Sequence, residues 1–328
     1  MIEFSYADVG NLLHAVLEMF FAILSERQLS IAALGEEERR AIVSEVLERY
    51  IRRICPAESQ RTPRLLHLFA NLRRMATLVI DELYEELSQS DFLPRFFELD
   101  IGSAEEDAPG AIDYRLPDGR PIRIYGRIDR VDTWQKGNKT YLRVIDYKSG
   151  PKDFSLEDIE RGLDTQLLVY LFSLWKSQNP AFRRLLCEEG GELMPAGVLY
   201  TAARAADKVY DAPPERGEVI ENAHRAVKRS GLLLDEEEVL RAMDKTREGR
   251  FIPVRFRADG GVHKASERSL ASLEKMGELV GRLDRVICRI GSEITGGEAS
   301  ARPLRSDKRK HICEFCDMKA VCRSSSLG

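Results

Sequence analysis

The 328-residue sequence lacks features that would place it in a membrane, in an oxidising compartment or among motor proteins. It has no apolar run of 18 residues or more, so we expect no membrane-spanning helix. Residues 1–24 contain acidic side chains and no basic leader, which argues against a signal peptide. Six cysteines, half of them near the C-terminal end, favour a reducing compartment over a disulfide framework. The absence of a Gly-Lys-Ser/Thr phosphate-binding loop excludes a P-loop motor.

The charge is nearly balanced, with 50 basic and 54 acidic residues and a formal net charge of -4. This balance neither indicates nor excludes a nucleic-acid partner, because local patches decide such binding. With 43% hydrophobic and 32% charged residues, the chain has the composition of a globular protein with a buried core.

The coarse pattern is a helical part, then strands, then a charged part and a last helix. Short loops between the first three helices predict that they pack together as a cap. Residues 203–256 are largely charged and only weakly periodic, so we interpret them as a surface insertion. The predicted helices are 8–24, 36–54, 63–87 and 266–290, and the short strands outside the central hairpin are 96–102 and 197–201.

The most informative stretch runs from Gly126 to Gly150. Residues 126–132 and 141–148 are rich in β-branched and aromatic side chains, and a polar run with a Gly-Asn pair separates them. This pattern predicts a β-hairpin. Because side chains alternate along a strand, one face of the second strand carries, in order, Leu142, Val144, Asp146 and Lys148.

Asp146 and Lys148 come at the end of an apolar row, where burying their charges is costly unless they pair or hold a metal. Asp129, on the partner strand, can bring a second carboxylate to the same place. Two carboxylates and a lysine on one sheet predict a site for a hard divalent cation beside a positioned proton acceptor. Taken alone, the second strand could instead be an edge strand that ends in a solvated salt bridge.

Other residues bear on this site. His14 lies beside the apolar stripe of the first helix, with Glu18 one turn further on, so it could simply be a histidine satisfied by that glutamate. Glu98 falls on the strand before the hairpin and is expected near the later strands. Gln166 and Tyr170 are four residues apart and therefore share one face of a predicted helix.

The C-terminal part contains a C-x2-C-x5-C motif, formed by Cys313, Cys316 and Cys322. The close pair brings two thiolates to one side of a metal, and the third cysteine supplies another corner of a tetrahedron. Polar neighbours argue against these cysteines being core residues, and spacing alone does not separate zinc from an iron–sulfur cluster. The candidates for a fourth ligand are Cys55, Cys187, Cys288 and His311.

These motifs occur in a fixed order that spans nearly the whole chain. Together they resemble the RecB-like branch of the PD-(D/E)xK nuclease superfamily, and within it the AddB-type nuclease domains of helicase–nucleases. The segments that carry the resemblance are Gly10-Asn11-Leu12-Leu13-His14, a glutamate on a strand, Gly126-Arg127-Ile128-Asp129, Asp146-Tyr147-Lys148, Gln166-Leu167-Leu168-Val169-Tyr170 and the terminal cysteine motif.

The resemblance implies an α/β fold of the restriction-endonuclease-like kind, with a central mixed β-sheet flanked by helices, a helical N-terminal cap and a C-terminal Cys-rich segment. We expect one nuclease domain over residues 1–328. Its parts would be a cap carrying His14 at 1–92, a catalytic core at 93–202, a charged insertion at 203–256, and a C-terminal helix with the cysteine segment at 257–328.

The resemblance also implies a Mg²⁺- or Mn²⁺-dependent DNA exonuclease or deoxyribonuclease of the bacterial cytoplasm, which acts in double-strand-break repair by recombination. A single DNA strand would be threaded to the site, and the partner would be a helicase–nuclease subunit of AddA type. The implied metal ligands are His14, Glu98, Asp129, Asp146 and the main-chain carbonyl of Tyr147.

The implied catalytic residues are Asp129, Asp146, Lys148, Gln166 and Tyr170. Lys148 would orient or help deprotonate the attacking water, and Gln166 and Tyr170 would steady the site and the DNA strand. By the same resemblance, the three C-terminal cysteines Cys313, Cys316 and Cys322 would hold a [4Fe-4S] cluster.

The sequence departs from the AddB pattern in two places. In AddB-type proteins the fourth cluster cysteine lies upstream of the His-bearing helix, in a segment that this sequence does not contain. The cluster would therefore be incomplete or would take Cys55, and we interpret the chain as truncated. The long helicase-like N-terminal part is also absent.

Two alternatives remain open. One is an inactive DNA-binding or structural module, against which the intact set of His14, Asp129, Asp146 and Lys148 argues. The other is a stand-alone RecB-like nuclease related to CRISPR adaptation nucleases, whose members are generally shorter and lack such a charged insertion.

Overall fold

A computed structural model describes residues 6–54, 63–148, 152–202, 229–298, 300 and 316–322. Among these residues, no helix is both long and apolar enough to cross a membrane. The described chain forms a mixed sheet between two groups of helices, which confirms the predicted α/β class.

The N-terminal part forms three long helices, as predicted. Their bounds are Tyr6–Glu26 for α1, Glu36–Ile54 for α2 and Pro63–Ser88 for α3. Apolar side chains at helical spacing turn one face of each helix inward, so that Leu12, Val16 and Phe20 of α1 are fully buried. These helices cover one face of the sheet and form the cap.

The sheet has six strands in the order β1-β4-β5-β6-β7-β8. The pairs β5–β6 and β7–β8 are parallel and the other pairs are antiparallel. A separate hairpin, β2–β3, lies outside this sheet. The strands are β1 (Leu93–Ile101), β2 (Ile112–Arg115), β3 (Pro121–Ile124), β4 (Gly126–Lys136), β5 (Lys139–Lys148), β6 (Glu192–Ala202), β7 (Ser230–Leu234) and β8 (Leu270–Ala271).

Helices also cover the other face of the sheet, where they bury a second apolar cluster. Ser155 caps the first of them, because its hydroxyl accepts a hydrogen bond from the amide of Asp158 at 3.3 Å. The helices on this face are α4 (Leu156–Glu160), α5 (Gln166–Trp175), α6 (Pro180–Leu186) and α8 (Leu273–Thr295), whereas α7 (Glu237–Met243) packs on the cap side.

The predicted hairpin is β4–β5, joined by Gly137 and Asn138. Gly137 has a φ of 58°, the left-handed conformation that such a tight turn requires. Leu142 and Val144 pack against α5 and its neighbours, whereas Ile145 packs against the cap, so the predicted alternation is confirmed. The edge-strand alternative is wrong, because β5 is paired on both sides.

Two sequence-based expectations for the later part of the chain are wrong. Within 203–256, the described residues from 229 onward are not a surface insertion, because Leu232, Leu233 and Leu234 of β7 are fully buried in the sheet. Residues 203–228 lie outside the described part. The helix expected at 266–290 begins only at Leu273, since Ser272 caps it by accepting from the amide of Lys275 at 3.2 Å.

A buried ionic cluster joins α3 to the sheet. Glu86 of α3 lies 3.2 Å from Arg130 and 3.0 Å from both Arg143 and Arg229, while Asp132 contacts Arg130 at 2.6 Å. All five side chains are shielded from solvent. Burial alone would raise the pKa of Glu86, but the three guanidinium groups outweigh it and lower that pKa to about 2. The cluster ties the cap to the strands that carry the site.

Candidate active site

The regular alternation of side chains between the two faces of the sheet is interrupted in both β1 and β4, beside the predicted site. Phe96 and Leu99 are three residues apart, yet both pack against the same cluster, as do Ile128 and Val131. Residues three apart on a regular strand face opposite sides, so the chain must kink between them. In β1 the kink is at Glu98, whose φ of 49° is left-handed and costs a non-glycine residue roughly 1–3 kcal/mol. Such strain persists only where the surroundings hold it in place.

The kinks bring two carboxylates to the histidine of α1. His14 Nδ1 lies 2.9 Å from Glu98 Oε1 and 3.7 Å from Asp129 Oδ1. One potential ligand atom from each of the three residues lies within 4.8 Å of the others. The partner of His14 is therefore a strand residue and not Glu18 of its own helix.

Asp146 and Lys148 form an ion pair at the same end of the hairpin, with Lys148 Nζ 2.6 Å from Asp146 Oδ2. The amide of Tyr147, between them, donates a hydrogen bond to Asp129 Oδ2 at 2.7 Å. The strand that carries Asp146 and Lys148 thus also fixes the carboxylate of Asp129. Asp146 lies outside the close group formed by His14, Glu98 and Asp129.

The electrostatics of the site fit a bound cation. Burial, followed by the negative charge of Asp146, raises the pKa of Asp129 to about 6. Burial also raises the pKa of Asp146, and the adjacent Lys148 only partly opposes this effect. The hydrogen bond with Glu98 raises the pKa of His14. Crowded carboxylates of this kind are stabilised by a divalent cation, and oxygen donors with one imidazole can ligate it.

Gln166 and Tyr170 of α5 lie on the face of the sheet opposite the cap, where Tyr170 approaches the start of β4. Gln166 Nε2 donates to the hydroxyl of Tyr170 at 3.2 Å, so the pair shares a helix face as expected. A Cβ on Gly126 would lie 2.5 Å from this hydroxyl, so only glycine lets Tyr170 come so close to the start of β4.

The buried cluster reaches the site through Tyr147. Its hydroxyl accepts a hydrogen bond from Arg130 Nη1 at 2.9 Å, while its amide holds Asp129. Arg130 in turn is held by Glu86 and Asp132. The strand position of Asp129 is therefore tied to the buried ionic cluster on the cap face of the sheet.

Sequence reasoning missed a second lysine, Lys152. Its ammonium lies 2.6 Å from Asp164 Oδ1 and 5.0 Å from the centre of the Tyr200 ring, which Lys148 also approaches at 5.7 Å. The only sequence signal was its spacing, four residues after Lys148. Two cations thus flank one aromatic ring beside Asp146.

Only part of the predicted cysteine site lies among the described residues. Cys316 is exposed and Cys322 is half-buried, on either side of a 3₁₀ turn at Asp317–Ala320. Cys313, Cys55 and His311 lie outside the described residues. The thiols of Cys187 and Cys288 lie 3.5 Å and 3.9 Å from the main-chain oxygens of Arg183 and Arg115.

Comparison with known protein families identifies the chain. Residues 2–323 match the PD-(D/E)XK nuclease superfamily. The chain belongs to this superfamily. Its six-stranded mixed sheet and flanking helices agree with the restriction-endonuclease-like fold that the motifs predict.

The chain is also similar to curated AddB proteins, whose names describe one subunit of an ATP-dependent helicase/deoxyribonuclease. It is 31% identical over 325 residues to that of Acetivibrio thermocellus and 32% identical over 323 residues to that of Desulforudis audaxviator. These matches cover 96% and 98% of this chain but 27% of each relative, so the chain spans about a quarter of their length. They confirm the AddB-type resemblance.

Proposed function

We propose that this chain is a nuclease that hydrolyses phosphodiester bonds of DNA with the help of Mg²⁺ or Mn²⁺. The observation that carries the proposal is the convergence of His14, Glu98 and Asp129 beside the ion pair of Asp146 and Lys148. Membership of a nuclease superfamily supports it.

The cation would be held by His14 Nδ1 and by the carboxylates of Glu98 and Asp129, with Asp146 and the main-chain carbonyl of Tyr147 as further ligands. When bound, it supplies Lewis-acid polarisation of the scissile phosphate and of the attacking water. The amide of Tyr147 orients the carboxylate of Asp129, which leaves the other oxygen of that carboxylate toward His14.

Lys148 would supply the positive charge that the chain itself brings to the reaction. Its side chain is 30% exposed, so its ammonium can reach a phosphate while Asp146 restrains it. It would orient the attacking water, help to remove its proton and stabilise the negative charge that builds on the phosphate. Gln166 and Tyr170 would steady the DNA strand at the site.

The names of the relatives suggest the biological setting. We propose that the chain acts as the nuclease part of an AddB-type protein, beside a helicase–nuclease partner of AddA type, in recombinational repair in the bacterial cytoplasm. The cysteine motif would supply three of the four ligands of a [4Fe-4S] cluster, a proposal that an iron assay on anaerobically purified protein tests. Bound zinc without iron would contradict it.

The test of the activity is cleavage of linear DNA with Mg²⁺ and with EDTA. Asp129→Asn keeps an oxygen that can accept from the Tyr147 amide but loses the charge, so we expect cleavage to fall by at least ~100-fold with the fold intact. The matched control is Asp113→Asn on β2, whose exposed carboxylate pairs with Arg123. Cleavage that survives Asp129→Asn would refute the assignment, and a folded wild type that never cleaves would favour the inactive binding module.

A further inference from the structure

A groove on the surface of α8 is lined by three exposed arginines. Arg282, Arg285 and Arg289 line it together with Val286 of the same helix and Glu160 at the end of α4, and its volume is about 510 Å³. The spacing of three and four residues places the three guanidinium groups on one side of α8.

The groove is not a neutral, salt-bridged helix face. Arg282 is paired, at 2.8 Å from Glu160 and 3.6 Å from Glu278. Arg289 reaches the main-chain oxygen of Glu160 only at 3.5 Å. The three arginines thus face two carboxylates, Glu160 in the groove and Glu278 one turn before Arg282, which leaves an excess of one positive charge for an anionic ligand.

Arg285 and Arg289 are also four residues apart on the helix. Two like charges at this spacing destabilise a helix by roughly 0.2–0.5 kcal/mol. A helix selected for stability alone would place an acidic residue at one of these positions. The repulsive pair is explained if a ligand with several negative charges lies across both guanidinium groups.

The groove is connected to the candidate active site through a short segment. Glu160 is four residues before Asp164, a reach of at most about 14 Å, and Asp164 contacts Lys152 at 2.6 Å. Lys152 and Lys148 share the ring of Tyr200. The lysines of the site and the arginines of the groove are thus separated by one short segment, which carries the carboxylates Asp164 and Glu160, and a nucleic-acid strand of several nucleotides can span it.

We propose that this arginine groove binds backbone phosphates of single-stranded DNA, several nucleotides away from the phosphate that is cut. The inference rests on the proposed nuclease function for the identity of the ligand. The groove would lengthen the contact with the strand and hold it in line with the site, without taking part in the chemistry.

The test is binding of fluorescent oligothymidylates of four and of twenty nucleotides, measured at several salt concentrations in EDTA, so that no cleavage is required. In the double variant R285Q/R289Q, we expect the twenty-nucleotide strand to bind more weakly than in the wild type. The salt dependence of binding is the slope of the logarithm of the association constant against the logarithm of the salt concentration, and the magnitude of this slope should fall by about 1.4. This corresponds to two lost phosphate contacts at about 0.7 each on a single strand. Binding of the four-nucleotide strand should not change.

The control is R49Q/R52Q, which removes the same charge from exposed arginines of α2, on the opposite face of the sheet. It should leave the salt slope unchanged. Glu160→Gln removes the one carboxylate of the groove and should tighten binding of the long strand, a gain that a merely disrupted surface would not produce.

Three results would each overturn the proposal. They are the same salt slope in R285Q/R289Q and R49Q/R52Q, the same loss of affinity for the four- and twenty-nucleotide strands, and weaker binding of the long strand by Glu160→Gln. Cleavage with Mg²⁺ is measured separately on the wild-type chain. Normal cleavage with unchanged slopes would refute the groove alone, whereas absent cleavage with the expected slope change would refute the nuclease function and leave the groove as a DNA-binding surface.

Discussion

Replacing Glu86 with glutamine removes the carboxylate at the centre of the buried ionic cluster. The substitution keeps the shape of the side chain but leaves Arg130, Arg143 and Arg229 with one negative partner fewer. Breaking a buried ion pair in this way costs about 3–5 kcal/mol. Lowering the pKa of Glu86 from 4.5 to about 2 corresponds to roughly 3 kcal/mol, which agrees with that range.

The loss should depend on pH in a definite direction. Because the folded-state pKa of Glu86 lies below its ordinary value, its contribution is fully present above about pH 4.5 and is lost as the pH falls toward about 2. Between pH 7 and pH 3.5, the stability difference between wild type and Glu86→Gln should narrow by about 1.4 kcal/mol.

The assay is urea unfolding of both proteins at the two pH values. Glu85→Gln is the matched control, since it is the adjacent residue of α3 with a partly exposed carboxylate that pairs with Arg250. The control should lose less than about 1 kcal/mol. A Glu86→Gln protein as stable as the wild type at pH 7, or a difference that widens in acid, would refute the account of the cluster.

Three further predictions concern the site itself. Gly126→Ala should reduce cleavage by up to ~100-fold with little loss of stability, because its Cβ would displace the hydroxyl of Tyr170; unchanged cleavage would contradict this. Tyr147→Phe should lower the free energy of unfolding by about 1–3 kcal/mol, because it leaves a buried N–H of Arg130 unpaired. The control is Tyr141→Phe on the same strand, where the hydroxyl lies 3.5 Å from Glu236. It should lower the free energy of unfolding by less than Tyr147→Phe does. Mg²⁺ at 100 times its Kd should raise the free energy of unfolding by about 2.7 kcal/mol in urea titrations, and no rise would argue against a metal site.

The local parts of the fold could be predicted because their signals are local. The 3.6-residue period of α1 and the alternation along β5 require only neighbouring residues, and the Gly-Asn pair at 137–138 marks the turn directly. The order of His14, Asp129, Asp146 and Lys148 could be recognised for the same reason, since each lies in a short pattern.

The relations across the sheet could not be predicted in this way. Glu98 reaches His14 only because its left-handed backbone interrupts the strand, and no periodicity shows such a kink. The partners of Glu86 come from three distant segments that meet only after α3 packs on the sheet. The strand β7 has five residues, of which only the last three are leucines, and it lies between charged flanks, which concealed a core strand within an apparent insertion.

Cleavage of linear DNA by Lys148→Ala tests the central claim most directly. The control is Lys136→Ala, which removes an exposed lysine at the other end of the same hairpin, where it pairs with Glu238. We predict Mg²⁺-dependent cleavage by the wild type and the control, and a loss of at least ~100-fold in Lys148→Ala. This variant should remain folded but unfold at a lower temperature than the wild type, because the buried Asp146 loses its ion-pair partner. Full cleavage by Lys148→Ala would contradict the assignment of this site as the catalytic centre.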